Sequence, residues 1–167
     1  MHPEAVQLEV LRQKIEDVLY ESGNQSDYMD RGKPNSSQAK KAQELMTELN
    51  NQGKALQAEL KQMIATTRSN NPQAVEEWVN YHIGLLQKIA DEKTASASDV
   101  ARRNVAKSTM QEWEKVRAGE QDYVNINWHF LKDYKAGVRS ITGRASKKAD
   151  GPSNRKTEDK AWWQFWK

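Results

Sequence analysis

AQELMTELNNQGKALQAELKQMIATT, residues 42–67, is the stretch on which the fold turns. Ala42, Met46, Leu49, Gly53, Leu56, Leu60, Met63 and Thr67 step through it by 4, 3, 4, 3, 4, 3 and 4. That is the heptad spacing of a helix with one apolar seam. Ser36 or Ser37 is placed to cap this helix, and Asn70, Asn71 and Pro72 to stop it. Thirty-odd residues at about 1.5 Å each make a rod of roughly 50 Å, too long for one short neighbour to cover. Gly53 inside the seam costs about 1 kcal/mol against alanine. It is expected to mark either a close helix crossing or a kink.

Helical spacing recurs on both sides of the rod. Before it, Pro3 suits a first helical turn, and Leu8, Leu11, Ile15 and Val18 follow at steps of 3, 4 and 3. A helix over 3–20 is expected. Residues 23–37 are rich in Gly, Asn, Ser, Asp and Pro and are expected to form a loop. After the rod, Asn71-Pro72 reads as an N-cap and first helical position, and Val75, Val79, His82, Leu86 and Ile89 form a third stripe. The small polar segment 94–99 either breaks the helix at Ser96 or Ser98 or lets it run through. Val100, Ala106, Met110, Trp113 and Val116 form the next stripe, which Gly119 can stop. Tyr123, Ile126, Phe130, Tyr134, Val138 and Ile141, joined by Val124, Trp128 and Leu131, give a last helical face before Gly143.

The fold class is therefore all-α: an elongated helical bundle or helical hairpin with a coiled-coil-like seam, four to five helices and a flexible basic C-terminal tail. Composition agrees with slender helices. Leu, Ile, Val and Phe make up 28 of 167 residues. That is about 17%, under the roughly 20% below which a strongly charged chain is disordered. The net charge is only +3, so disorder of the whole chain does not follow. Because the seams are regular but the apolar fraction is low, a homo-oligomer is expected, with Leu49, Leu56, Leu60 and Met63 carrying self-association.

Residues 1–143 read as a helical domain, 144–161 as a basic flexible linker and 162–167 as an aromatic motif. The linker carries Arg144, Lys147, Lys148, Arg155, Lys156 and Lys160 around Gly151-Pro152-Ser153-Asn154, with no large apolar residue. From Lys132 to Lys167 ten basic residues stand against four acidic ones, a net of +6, which leaves −3 for residues 1–131. Such asymmetry favours an anionic partner for the tail, or the tail folding back on the body. Trp162, Trp163, Phe165 and Trp166 then place four of the chain's thirteen aromatic residues in one short segment.

Rings on a hydrophilic tether call for cover. A pocket in a partner protein is the first expectation, because tryptophan anchors dominate binding energy. An anionic membrane surface is the second, since tryptophan favours the headgroup layer and Lys and Arg are attracted to anionic lipid. Single-stranded nucleic acid, whose bases stack on aromatics, is the third. Docking of the rings onto the chain's own helices is the bland alternative. Glu158 and Asp159 precede the rings, which weakens the lipid and nucleic-acid cases but not a protein groove.

Catalytic constellations are scarce. The chain has no cysteine, so disulfides, thiol catalysis and cysteine-based zinc sites are excluded. No Gly-rich phosphate loop, GxSxG, HExxH or EF-hand loop occurs. His129 and Asp133, four apart, offer at most half a metal site, and His82 on its apolar stripe reads as a hydrogen-bonded core histidine. No cofactor, metal or catalytic residue is expected. No apolar run approaches the length of a membrane span, and the first residues lack a signal pattern, so a cytoplasmic location is expected. Together these features describe a non-enzymatic adaptor or assembly protein, with a peripheral membrane protein and a nucleic-acid binder as alternatives.

Overall fold

Five helices and no strand make up the chain among the described residues, which in this computed structural model are 1–93, 96–126 and 129–143. They are α1 (Pro3–Arg31), α2 (Ser36–Asn70), α3 (Pro72–Ala90), α4 (Ala97–Ala118) and α5 (Lys132–Ile141). Trp128, the basic tail residues Arg144, Lys147, Lys148, Arg155, Lys156 and Lys160, and the four terminal aromatics lie outside the described residues.

α2 is the expected rod, opened by a capping box in which Asn35 and Gln38 exchange side-chain and backbone hydrogen bonds. Its seam packs on α1 of the same chain, giving a long antiparallel hairpin, and α3 and α4 form the second packed pair. Gly53 lies where α2 faces α1. It is buried, α2 runs through it unbroken, and a Cβ added there would sit 3.4 Å from Leu19 Cδ2 and 3.8 Å from Val18 Cγ1. Because 3.4 Å is ordinary contact, Gly53→Ala is expected to keep the crossing and gain helix propensity, stabilising by up to about 1 kcal/mol. Gly53→Leu would wedge α1 away and lower Tm; the paired thermal melts check both signs.

Helix 1 is longer than the composition of 23–37 implies. It runs through Gly23, Asn24, Ser26, Asp27 and Asp30 to Arg31. The turn-forming residues are overruled because the far half of α2 needs a partner: Ser22 is buried there, and its Oγ donates to Asn50 Oδ1 at 2.9 Å. Gln25 adds a bond to Glu21 one turn back, at 3.1 Å. The true turn is only 32–35, with Lys33 at φ 46°. Beyond Gly53 the hairpin is thin, and Ser22 and Ala42 are its buried residues.

The expected last helical face is also shorter than its apolar spacing. Among the described residues of that face Lys132–Ile141 is the helical part; residues 120–126 are bends and irregular backbone. Val124 and Ile126 are buried while Asn125 between them is exposed, a period of two that covers the bundle without a helix. Between the third and fourth stripes the chain does break, with Ser96 capping α4 through Asp99 N–H. Arg68 at the end of α2 donates to the carbonyls of Val116 and Arg117 at 2.8 and 2.7 Å, capping α4 where Gly119 turns left-handed at φ 81°. The core lies at this end, built from Leu8, Ile15, Leu60, Trp78, Val79, Leu86, Trp113 and Leu131, all fully buried.

Candidate functional site: a buried histidine–carboxylate network

The middle of that core is polar. Glu9, Arg12 and Gln13 of α1 and His82 of α3 are all at most 1% exposed, and Glu16 is 8% exposed. The spacing 9, 12, 13, 16 puts these α1 side chains on one face, next to the apolar Leu8, Leu11 and Ile15. α1 is central, enclosed on more than one side, so its polar face has no solvent to turn to and must pair internally.

Glu9 is the hub. Its Oε1 accepts from Arg12 Nη2 at 2.8 Å and Gln13 Nε2 at 2.9 Å, and its Oε2 from Trp78 Nε1 at 2.9 Å. His82 Nε2 lies 2.7 Å from Oε2, and Arg12 Nε reaches both oxygens at 3.1 Å. Burial works to raise the Glu9 carboxyl, but the Arg12 guanidinium and His82 outweigh it and hold it far below the usual carboxylate range. Arg12 is held fully charged by the same partnership despite its burial.

An ionised Glu9 fixes the histidine tautomer. His82 Nε2 must carry the proton it donates to Oε2, so in the neutral ring Nδ1 is the acceptor. Tyr134 OH of α5 lies 2.6 Å from that Nδ1 and donates to it, while Trp113 Nε1 of α4 donates to the Tyr134 oxygen at 3.1 Å. The ring is sandwiched as well: Trp113 stacks on it at 3.8 Å and 11°, and Trp78 meets it edge-on at 5.9 Å. Burial pushes the imidazole below its ordinary value, against the pull of Glu9. Burial also raises Tyr134 well above the usual phenol range.

A tyrosine, histidine and carboxylate in this order can relay a proton, yet every member is buried with no exposed edge, so the arrangement acts as a clasp joining α1, α3, α4 and α5. It also reaches the end of α5: Gln13 Nε2 donates to Val138 O at 3.2 Å, and Thr142 Oγ1 donates to Gln13 Oε1 at 2.9 Å.

The surface offers a shallow depression of about 410 Å³ lined by Lys54, Gln57, Ala58, Lys61, Asp122 and Tyr123. It brings together two lysines and one carboxylate; Tyr123, pushed up to about 12 by burial, stays protonated at neutral pH. His129 lies in a turn before α5 while Asp133 pairs with Arg102 at 2.7 Å, so the two do not share the helix face expected of them. No group of three or more His, Cys, Asp and Glu is placed to hold a metal among the described residues. No helix among them is long and apolar enough to cross a membrane.

Of the expected self-association residues, Leu60 is fully buried in this chain's core, Leu56 and Met63 pack against it half-buried, and Leu49 is half-buried. Leu60 is thus enclosed within this chain, while Leu49, Leu56 and Met63 keep part of their surface exposed. His82 is the hydrogen-bonded core histidine expected from its stripe, but its partners are not visible in the sequence, because Glu9 meets Trp78 and His82 across 69 and 73 positions. The one available signal was a histidine four residues from a tryptophan on an apolar stripe, both needing polar partners. No protein-family model, curated protein or solved structure matches the chain.

Proposed function

We propose that this protein is a non-enzymatic helical adaptor, whose body is a rigid support and whose C-terminal segment recruits a partner protein through Trp162, Trp163, Phe165 and Trp166. The observation that carries this reading is the clustering of four large aromatics behind the basic stretch 144–161. Its support from the body is economy: among the described residues the exposed large hydrophobics are Met1, Tyr20 and Val100, which stand far apart in the sequence and compete poorly with the tail as an anchor.

The test uses the full-length chain and a variant with Trp162, Trp163, Phe165 and Trp166 all changed to alanine. Tryptophan anchors are worth about 2 kcal/mol or more each, so saturable capture of a protein partner should fall by at least ~100-fold. Flotation of the wild type with anionic vesicles would instead place it at the membrane, and a steep salt dependence on single-stranded DNA would make it a nucleic-acid binder. A variant that binds unchanged, or merely melts at lower temperature, sinks the recruiting role.

A further inference from the structure

We propose that residues 144–167 fold back on the outer half of α1, setting tryptophan rings over Gly23 and cations against Asp27 and Asp30, so that the chain shelters its own aromatic motif. The docking is a property of the isolated chain and does not rest on the recruiting role. What it adds to that role is that a partner must compete with α1 for the rings.

One stripe of α1 carries the argument. Gln13, Glu16, Tyr20, Gly23, Asp27 and Asp30 step by 3, 4, 3, 4 and 3, so they share a helix face. The body encloses Gln13 and Glu16. At Tyr20 the stripe emerges: the ring is 64% exposed, and Lys135 Nζ of α5 stands 5.7 Å from its centroid. Beyond it Gly23, Asp27 and Asp30 are exposed, and the two carboxylates form no ion pair among the described residues.

Gly23 is the residue of this stripe that the described chain does not explain. Glycine weakens an exposed helix interior, and no packing neighbour lies within 4 Å of where a Cβ would stand, so no helix crossing calls for it. Its bare backbone between the Tyr20 ring and the Asp27 carboxylate makes a flat seat. An indole lying there sets its edge against tyrosine and its N–H toward a carboxylate acceptor.

Charge and reach name the occupant. From Asp17 to Asp30, α1 carries Asp17, Glu21, Asp27 and Asp30 and no basic residue. Residues 144–167 carry seven Lys and Arg against Asp150, Glu158 and Asp159, a net of +4. The last described residues lie beside this face: Thr142 Oγ1 donates to Gln13 Oε1 at 2.9 Å, and Gly143 turns left-handed at φ 67°. Gln13 to Asp30 is about 25 Å along α1, while the 19 positions from Gly143 to Trp162 span up to roughly 65 Å fully extended. Every position of the stripe is therefore within reach, at an effective concentration that tethering raises to roughly millimolar. Surface ion pairs hold little by themselves, so the covered ring area holds the segment and the charges set where it lies.

A single nitroxide reads this in the full chain, which has no native cysteine to compete for the label. On Asn24→Cys, beside the stripe, it should broaden the indole N–H signals of Trp162, Trp163 and Trp166 at least fivefold more than the same label on Lys107→Cys, an exposed position of α4. The excess should be unchanged on tenfold dilution. Asp27→Lys with Asp30→Lys should cut it at least threefold. Gly23→Gln, which fills the seat while favouring the helix, should do the same. Equal broadening from the two labels overturns the docking, and so does an excess that survives both variants. Loss of the excess on dilution gives the face to a second copy and overturns it as well. None of these readings involves a partner, so failure of the recruiting role leaves them unaffected.

Discussion

Glu9→Ala is expected to cost about 3–5 kcal/mol of stability, because it removes the acceptor on which four buried donors converge. Arg12 would be left charged and enclosed, with only Glu16 Oε2 at 3.3 Å as a carboxylate partner, and Trp78 Nε1–H, Gln13 Nε2–H and His82 Nε2–H would lose theirs. A chain of this size responds by a fall in Tm on the order of 10 °C or more. The magnitude reflects what is left behind and not the worth of the pair. Glu9→Leu combined with Arg12→Met should therefore recover a large part of the loss, as an apolar replacement of a buried ion pair can. The pH dependence identifies the group. Glu9 is held below its ordinary 4.5, so its contribution is fully present above 4.5 and is lost as pH falls toward the folded value. Glu16 is raised by burial, so its contribution runs the other way, present below 4.5 and lost as pH rises through its folded value. Denaturant melts of wild type and Glu9→Ala between pH 3 and 8 should show the acid limb of the wild type flattened in the variant. A cost under about 1 kcal/mol would mean that solvent reaches the network and that it is no clasp.

The helices were legible where one physical rule governed them. The seam from Ala42 to Thr67 is a single face of a long rod, so spacing alone located α2, and Pro72 opened α3 by local chemistry; the break capped by Ser96 was one of the alternatives that the sequence left open. Reading failed where a distant partner decided the local state. Residues 23–31 have the composition of a turn, but α2 offers them a helical partner through Ser22 and Asn50, and pairing won over propensity. At 123–126 the apolar spacing fits a helix and a period of two alike; after the αL turn at Gly119 the chain is irregular, with Val124 and Ile126 buried. The clasp was the least legible part, since a charged face on α1 reads as solvated unless one knows that other helices enclose it.

Trp113→Ala carries the second large effect, about 3–5 kcal/mol, and it tests whether the clasp and the apolar core are one structure. The indole is fully buried, stands edge-on to Trp78 at 5.0 Å, stacks on His82 and donates to Tyr134, so its removal opens a cavity and takes away the lid on the imidazole at once. Trp113→Phe separates these roles. It keeps an aromatic face over His82 while deleting the N–H, whose loss should cost only about 1 kcal/mol beyond the smaller ring. If packing and polar network are coupled, the costs of Trp113→Ala and Glu9→Ala will not add, because both variants expose the same imidazole; a deviation of at least ~1 kcal/mol in the double-mutant cycle is expected. Strict additivity would show two independent clusters that happen to touch. Coupling would instead make the interior one cooperative unit, in which a change at the histidine is felt by the tyrosine that holds α5 in place.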